Sequence, residues 1–333
     1  MTAILRAKSE AQVSASPANA GQGPAGGGTA LRPARRTELW FYKMTPLYVP
    51  EADGGFKLFK EAGVTLAEMS LTKEDNVPEA FIQDSDRPMA LREIQKAMLD
   101  GYLQETIRKG DQAEIKEALT VLLDEAFREP RLKLIMGFQP IVETVVEEYA
   151  SHPKLLAAFA ALATRGLTVA AHSVNVMALV MAFCFRAGLG QEETCRYCFG
   201  ALLHDLGWTK LPPELMCTDR RLNEDEFSRV RQHPLLGVKM LVGATIAEDS
   251  LLGILQHHER MDGSGYPKGV THLHPLGSLL GLVDSYEVLT CEERVYRKSL
   301  TPLATLELLK SEVLAGKFER KQFERFAYSL VKP

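Results

Sequence analysis

The second half of the chain consists of apolar segments with helical spacing, and nearly all of them begin or end at a histidine or an aspartate. From residue 153 onward strand signals are absent, and glycines and prolines mark the loops. One buried polar residue is usually a core group with a hydrogen-bond partner, but an unpaired buried carboxylate is costly. Seven such positions together indicate that their side chains meet in one place: His172, His204, Asp205, His233, His257, His258 and Asp284.

These seven residue types predict a metal site. Imidazole nitrogens and carboxylate oxygens are ligands for zinc, iron, manganese and related ions. Seven ligands are too many for one tetrahedral ion and suit two ions that share a carboxylate, for which Asp205 is the expected bridge. A His-Asp pair alone is more often structural, so the prediction depends on the joint pattern. Mixed ligation favours iron or manganese over magnesium, while zinc, magnesium and nickel stay open.

Two further segments indicate a phosphate-containing ligand. Residues 257–267 read His-His-Glu-Arg-Met-Asp-Gly-Ser-Gly-Tyr-Pro, in which the glycines allow close backbone approach and Tyr266 offers a hydroxyl and a stacking face. Arg294 and Arg297 lie three residues apart, on one face if the segment is helical. Guanidinium groups fork onto phosphate oxygens. The alternative for this arginine pair is a solvated charged turn.

The rest of the chain predicts a mostly α protein with a smaller mixed module before the helical region. The 333 residues divide into a disordered tail (1–36), a small α+β module (37–90), linking helices (91–150) and an all-helical domain (151–333). Short strands are expected within residues 39–44 and 46–49. An Asn-Glu-Asp-Glu capping box beginning at Asn223 predicts a helix start.

Charge, apolar run length and cysteine content restrict the cellular compartment and the classes of binding partner. The net charge is −4, which argues against a binder of polymeric nucleic acid. The longest apolar run, residues 176–185, is too short to span a bilayer, so no membrane association is expected. Five cysteines form no disulfide framework and predict free thiols in the cytoplasm: Cys184, Cys195, Cys198, Cys217 and Cys291.

Together these residues resemble the HD-GYP family of metal-dependent phosphohydrolases, over about residues 168–298. The resemblance implies an all-helical HD-type domain that hydrolyses cyclic di-GMP, a bacterial second messenger, to pGpG or GMP. It implies the seven metal ligands given above for two divalent ions. The resemblance and the residue chemistry together give Tyr266, Glu287, Arg294 and Arg297 as the expected substrate-binding residues.

Four positions depart from the family pattern. Trp208 stands where the family has a lysine that contacts the scissile phosphate, and Lys210, two residues later, is the candidate replacement as a catalytic residue beside Asp205. Thr168 stands where three-metal members have a glutamate, which argues for two metals. Asn175 replaces an arginine, and Glu287 replaces an aspartate.

The sequence leaves more than one function open. The first is a cyclic di-GMP phosphodiesterase in signal transduction. The second is a catalytically impaired receptor that binds the dinucleotide and passes a signal to a protein partner, because Trp208 removes the lysine. A third is hydrolysis of a different cyclic dinucleotide. Homodimer formation and signalling partners also stay open.

Overall fold

The computed structural model describes residues 30–36, 38–72, 75–162, 168–216, 220, 222–291 and 298–331, which form two compact units. Within the described residues, the smaller unit comprises 30–102 and 133–141, and the larger comprises 103–132 and 142–331. These boundaries differ from the predicted ones. Helical periodicity identifies helices along the chain but does not indicate which unit each helix packs into.

The smaller unit contains a four-stranded antiparallel sheet in the order β1-β4-β2-β3. Two local predictions are wrong here. A strand forms inside the predicted tail, because residues 31–33 pair with residues 81–83 and gain backbone hydrogen bonds. Residues 39–41 form a 3-10 turn rather than a strand. The strands are β1 (Leu31–Pro33), β2 (Leu47–Pro50), β3 (Phe56–Lys60) and β4 (Phe81–Gln83).

Helices make up most of the described chain, which confirms the predicted mostly α fold class. The 29 residues before residue 30, which hold most of the predicted tail, lie outside the described residues. In chain order the α-helices are α1 (Arg87–Ala97), α2 (Leu103–Lys109), α3 (Gln112–Arg128), α4 (Leu132–Met136), α5 (Phe138–Ser151), α6 (Pro153–Ala161), α7 (Val169–Ala187), α8 (Gln191–Leu203), α9 (Pro213–Met216), α10 (Glu224–Val230), α11 (His233–Met240), α12 (Glu248–Gln256), α13 (Pro275–Thr290), α14 (Pro302–Leu314) and α15 (Arg320–Val331).

Helix α7 is the centre of the larger unit. It begins where the Thr168 side chain accepts the Ala171 N–H, and it ends at Gly188, whose φ of 73° is left-handed. Helices α3, α6, α8, α13 and α15 all pack against it. By length and composition α7 could cross a bilayer, but 83% of its most apolar window is buried inside the protein, as expected of a core helix.

The helix ends carry the polar residues to one region. Helix α8 ends at Leu203, directly before His204 and Asp205, and α12 ends directly before His257. The predicted capping box is present at the start of α10, with Asn223 and Glu226 bonded reciprocally. Helix α11 then begins at His233. The histidines and the aspartate at these helix termini are all buried: His204, Asp205, His233 and His257.

Candidate metal centre

The seven predicted ligands come together as two adjacent groups. Within each group the ligand atoms lie within 4.8 Å of one another, and all seven side chains are buried. One group holds His172, His204 and Asp284, and the other holds Asp205, His233, His257 and His258. These residues are separated by up to 112 positions in the sequence, so the helix packing alone brings them together.

Asp205 faces both groups with different oxygens. Its Oδ2 lies 3.4 Å from His204 Nε2 and 3.7 Å from His172 Nε2. Its Oδ1 lies 3.1 Å from His233 Nε2 and 3.5 Å from His257 Nε2. A carboxylate with one oxygen in each of two nitrogen clusters is arranged to bridge two cations.

The histidine hydrogen bonds fix which ring nitrogen faces the centre. His233 Nδ1 donates to the Val230 carbonyl at 2.8 Å, and His257 Nδ1 donates to the Ile254 carbonyl at 2.7 Å. Their Nε2 atoms, both then acceptors, face each other at 3.1 Å. Two nitrogens about 2.1 Å from one ion lie roughly 3.0–3.4 Å apart. The donor set therefore fits a divalent ion, with backbone carbonyls as the outer partners that orient each ring.

The other group repeats this arrangement. His204 Nδ1 donates to its own helix at the Ala201 carbonyl, 2.7 Å away. His204 Nε2 then faces His172 Nε2 at 3.2 Å, and His172 Nε2 lies 3.0 Å from Asp284 Oδ1. Two imidazole nitrogens and a carboxylate thus converge on a second cation position.

The two groups differ electrostatically in the absence of an ion. Burial lowers the pKa of His172, but the carboxylates of Glu287 and Asp284 outweigh burial and raise this pKa to about 9. Burial lowers the pKa of His257 to about 3. The His172 ring therefore holds a proton that a cation must displace, whereas the His257 ring is already neutral.

Glu287 lies behind His172, which differs from its predicted role at the substrate. Its Oε2 is 2.5 Å from His172 Nδ1, and its Oε1 accepts the Asn175 amide at 3.0 Å. Both carboxylate oxygens are thus engaged with buried side chains. The sequence shows that a carboxylate follows Asp284 by three residues, but not that helix α13 turns it toward His172.

Close backbone packing holds His233 against the Asp205 turn. A Cβ on Gly207 would lie 1.9 Å from the His233 carbonyl oxygen. Only glycine permits this approach, so the 3-10 turn at residues 206–210 can lie directly on the start of α11.

The loop at residues 257–267 folds back over the ligand group that contains His233 and His258. A Cβ on Gly265 would lie 2.4 Å from the backbone nitrogen of Arg260. The buried Glu259 carboxylate accepts hydrogen bonds from the backbone N–H groups of Lys268 and Val270 at 2.7 and 3.1 Å. This fixes Tyr266, whose ring stacks on His258 with centroids 4.6 Å apart.

The Tyr266 hydroxyl is a candidate ligand contact. It is buried, and among the described residues no group hydrogen-bonds it. Burial, with Asp284 and Asp205 nearby, raises the pKa of Tyr266, so the phenol stays protonated. A protonated hydroxyl in this position can donate to a bound anion.

Trp208 contacts the centre in a way that the sequence did not predict. Its indole N–H donates to Asp205 Oδ1 at 3.1 Å, and its ring stacks on His233 with centroids 5.1 Å apart. Lys210, the predicted catalytic replacement, is exposed, and no hydrogen bond or ion pair joins it to the seven ligands within the described part of the chain. The 3-10 turn directs residue 208, not residue 210, toward Asp205.

The predicted phosphate-binding pair cannot be placed in this geometry. Arg294 and Arg297 lie outside the described residues. Their role stays a prediction from the sequence.

Comparison with known proteins places the chain in a family. The profile of the HD domain family matches residues 147–321, more than half of the chain. The chain is 30% identical over 142 residues to the cyclic di-GMP phosphodiesterase PdeB of Borreliella burgdorferi, covering 42% of this chain and 37% of that protein. It is 30% identical over 161 residues to the cyclic di-GMP phosphodiesterase PA4108 of Pseudomonas aeruginosa, covering 47% and 39%. The chain thus spans about two-fifths of the length of these curated relatives.

A solved structure shares the fold. The HDG"Y"P protein Bd1817 from Bdellovibrio bacteriovorus superposes with a TM-score of 0.60 at 17% identity, covering 91% of this chain and all of that one. The family profile, the clustered His and Asp residues and the motif at residues 257–267 agree with one another. The chain belongs to the HD domain family and, within it, to the HD-GYP type that its sequence resembles.

Proposed function

We propose that this protein hydrolyses a phosphodiester bond of cyclic di-GMP, giving pGpG or GMP, with two divalent ions held by the seven clustered ligands. The observation that carries the proposal is the position of Asp205, whose two oxygens each face a separate set of imidazole nitrogens. This arrangement suits a two-metal phosphohydrolase. The curated relatives named above act on cyclic di-GMP, which supports this substrate.

The chain's own residues have distinct tasks in this proposal. Bound ions would supply Lewis acidity and activate water for attack on phosphorus. His172, His204 and Asp284 would hold one ion, and the other ligand group would hold its neighbour. Asp205 contributes one oxygen to each ligand group. The Tyr266 ring stacks on His258, which places a phenolic donor beside the group that contains His233 and His258.

The ion identities and the site of action are also proposals. Mixed nitrogen and oxygen ligation favours iron or manganese. The four described cysteines are free thiols, which favours a reducing cytoplasm. Homodimer formation and signalling partners remain predictions to be tested by mass measurement in solution.

The test is product formation by the whole protein. Anaerobically purified protein is incubated with cyclic di-GMP and either Fe²⁺ or Mn²⁺, and the products are followed by chromatography. Asp205→Ala should lose both ions and the formation of pGpG. The matched control is Asp225→Ala, which removes an exposed aspartate from the same unit. Normal turnover by Asp205→Ala would refute the proposal.

A second candidate function is a receptor with little or no turnover. The observation that favours it is Trp208, which fills the space beside Asp205 with an apolar ring while Lys210 is exposed. Full metal occupancy with micromolar binding of cyclic di-GMP and no linear product would support the receptor. Steady release of pGpG would exclude it.

Running the assay in parallel with other cyclic dinucleotides tests the third possibility, a different substrate of this class.

A further inference from the structure

A chain of hydrogen bonds runs from the metal centre to helix α3, outside the segment that the HD family profile matches. Lys116 on α3 is buried, with 2% of its surface exposed. Its amino group donates to Asn175 Oδ1 at 3.0 Å and to the Leu162 carbonyl. The Phe159 ring lies below it, with the nitrogen 5.3 Å from the ring centroid.

We propose that Lys116 is a positioning residue of the metal centre, which acts through Asn175 and Glu287 to set the direction in which His172 presents its ligand nitrogen. The inference rests on the metal centre of the proposed function and extends it to a helix that the family profile does not include.

The Lys116 amino group determines which atom of the Asn175 amide faces it. The amino group of Lys116 donates a hydrogen bond, so the amide atom that faces it is the oxygen. The amide NH₂ then faces Glu287 and donates to Oε1 at 3.0 Å. Lys116 and Glu287 thus both favour this orientation of the amide, and removing Lys116 takes away one of the two.

Glu287 determines that Nδ1 of the His172 ring carries a proton. An ionised carboxylate only accepts hydrogen bonds, so His172 Nδ1, 2.5 Å from Glu287 Oε2, carries a proton. Once a cation has displaced the second proton of this ring, the other nitrogen, Nε2, presents its lone pair to the ion position beside His204 and Asp284. Three consecutive hydrogen bonds of fixed direction therefore link the lysine to the ligand nitrogen.

Outer partners that orient a metal-bound histidine typically contribute tenfold to a hundredfold to metal affinity. Lys116 acts on one histidine in one of the two ligand groups. Its loss should therefore weaken one ion site and leave the other, which contains His233 and His257, nearly unchanged.

The test is Mn²⁺ binding to the full-length, chelator-stripped protein, with free Mn²⁺ read by electron paramagnetic resonance. The wild type should bind two ions. Lys116→Met should bind one ion with wild-type affinity and the second about tenfold to a hundredfold more weakly. Lys116→Arg keeps N–H donors and should restore the second site to within about threefold of the wild type.

The matched control is Lys60→Met. Lys60 is equally buried and donates to three backbone carbonyls, but it lies in the smaller unit. Its loss should leave both Mn²⁺ affinities unchanged. A Lys60→Met protein that loses one site as Lys116→Met does would show that removing any buried lysine has this effect, and would overturn the proposal.

A second variant covers the case in which Lys116→Met does not fold. Asn175→Asp is nearly isosteric and can keep an ion pair with Lys116, but its second oxygen cannot donate to Glu287. It should weaken the same single site. Wild-type Mn²⁺ binding by a folded Lys116→Met or by Asn175→Asp would overturn the inference. So would a Lys116→Arg protein as weak as Lys116→Met, because volume rather than hydrogen bonding would then matter.

The outcomes separate this inference from the function on which it rests. Mn²⁺ binding is measured without any dinucleotide, so an inactive protein with the expected binding pattern supports the inference and refutes the hydrolase. A wild type that binds no Mn²⁺ refutes both.

Discussion

The stability of the larger unit should depend on pH through Lys116. Burial of its amino group lowers the pKa from the usual 10.5 to about 7, although Glu287 opposes this shift. In the unfolded chain the amino group returns to its ordinary value. Between about pH 7 and about pH 10.5 the unfolded state therefore binds up to one more proton than the folded state. The free energy of unfolding rises with pH across this window, because the penalty for charging the buried lysine disappears.

The size of this effect follows from a single proton. One proton of difference gives a slope of about 1.4 kcal/mol per pH unit. From about pH 7.5 to about pH 9.5 the contribution is about 2.5 kcal/mol. His172 acts in the opposite direction in the metal-free protein. Its folded-state pKa is raised to about 9, so its stabilisation is complete below the usual 6.5 and is lost as the pH rises through 9.

The assay isolates the lysine by difference. Urea unfolding is followed in chelator at several pH values, in a Trp40→Phe background so that Trp208 alone reports on the larger unit. Lys116→Met removes the titrating amine. Lys116→Arg removes it too, since guanidinium stays charged throughout, but it keeps the donors that reach His172. Both variants should lack the increase in the free energy of unfolding with pH that Lys116 contributes. The contribution of His172 is the same in the wild type and in Lys116→Arg, so it cancels from the difference between these two proteins. Equal pH slopes in the wild type and both variants would refute the reasoning.

Three further predictions test the contacts around Asp205. Trp208→Phe keeps a ring on His233 but removes the N–H that donates to Asp205. Because a hydrogen bond to a charged group contributes about 1.5–3 kcal/mol, Mn²⁺ affinity should fall about tenfold or more. An unchanged affinity would contradict this. Gly207→Ala would place a methyl group within bonding distance of the His233 carbonyl, so stability measured by urea unfolding should fall by about 3 kcal/mol or more; a wild-type midpoint would show that the turn can move. Chelation should lower the melting temperature, because ions bind only the folded centre, and reloading with Mn²⁺ should restore it; identical melting curves would show that no ion is held.

Local patterns in the sequence were enough to place His204 and His257 on their elements, whereas Asp284 lies inside α13 and His233 begins a helix rather than ending one. His204 and His257 follow apolar helical runs, so periodicity alone predicted that they lie at helix ends, and the structure has them directly after Leu203 and Gln256. The same holds for the capping box at Asn223. These are features of a few consecutive residues, which is the range over which periodicity and capping rules apply.

What the sequence did not predict depends on contacts between distant residues. Glu287 was expected at the substrate, but a separation of 115 positions from His172 carries no local signal of their contact. Lys116 is 59 positions from Asn175, so no local pattern connects the two. Trp208 was recognised only as a departure from the family pattern. Its contact with Asp205 depends on a 3-10 turn whose course Gly207 permits.

The arrangement of acceptors in the centre links metal binding to folding. In each ligand group two imidazole nitrogens face each other at 3.1 or 3.2 Å, while backbone carbonyls or Glu287 hold the protons on the far side of each ring. Two lone pairs at this distance repel unless a cation or a proton lies between them. Near His172 the surrounding carboxylates favour a proton, whereas around His257 burial disfavours one. A proton can therefore partly replace the ion at His172 but not at His257, so the group with His233 and His257 gains more from an ion. It follows that the ion beside His172 should leave first as the pH falls.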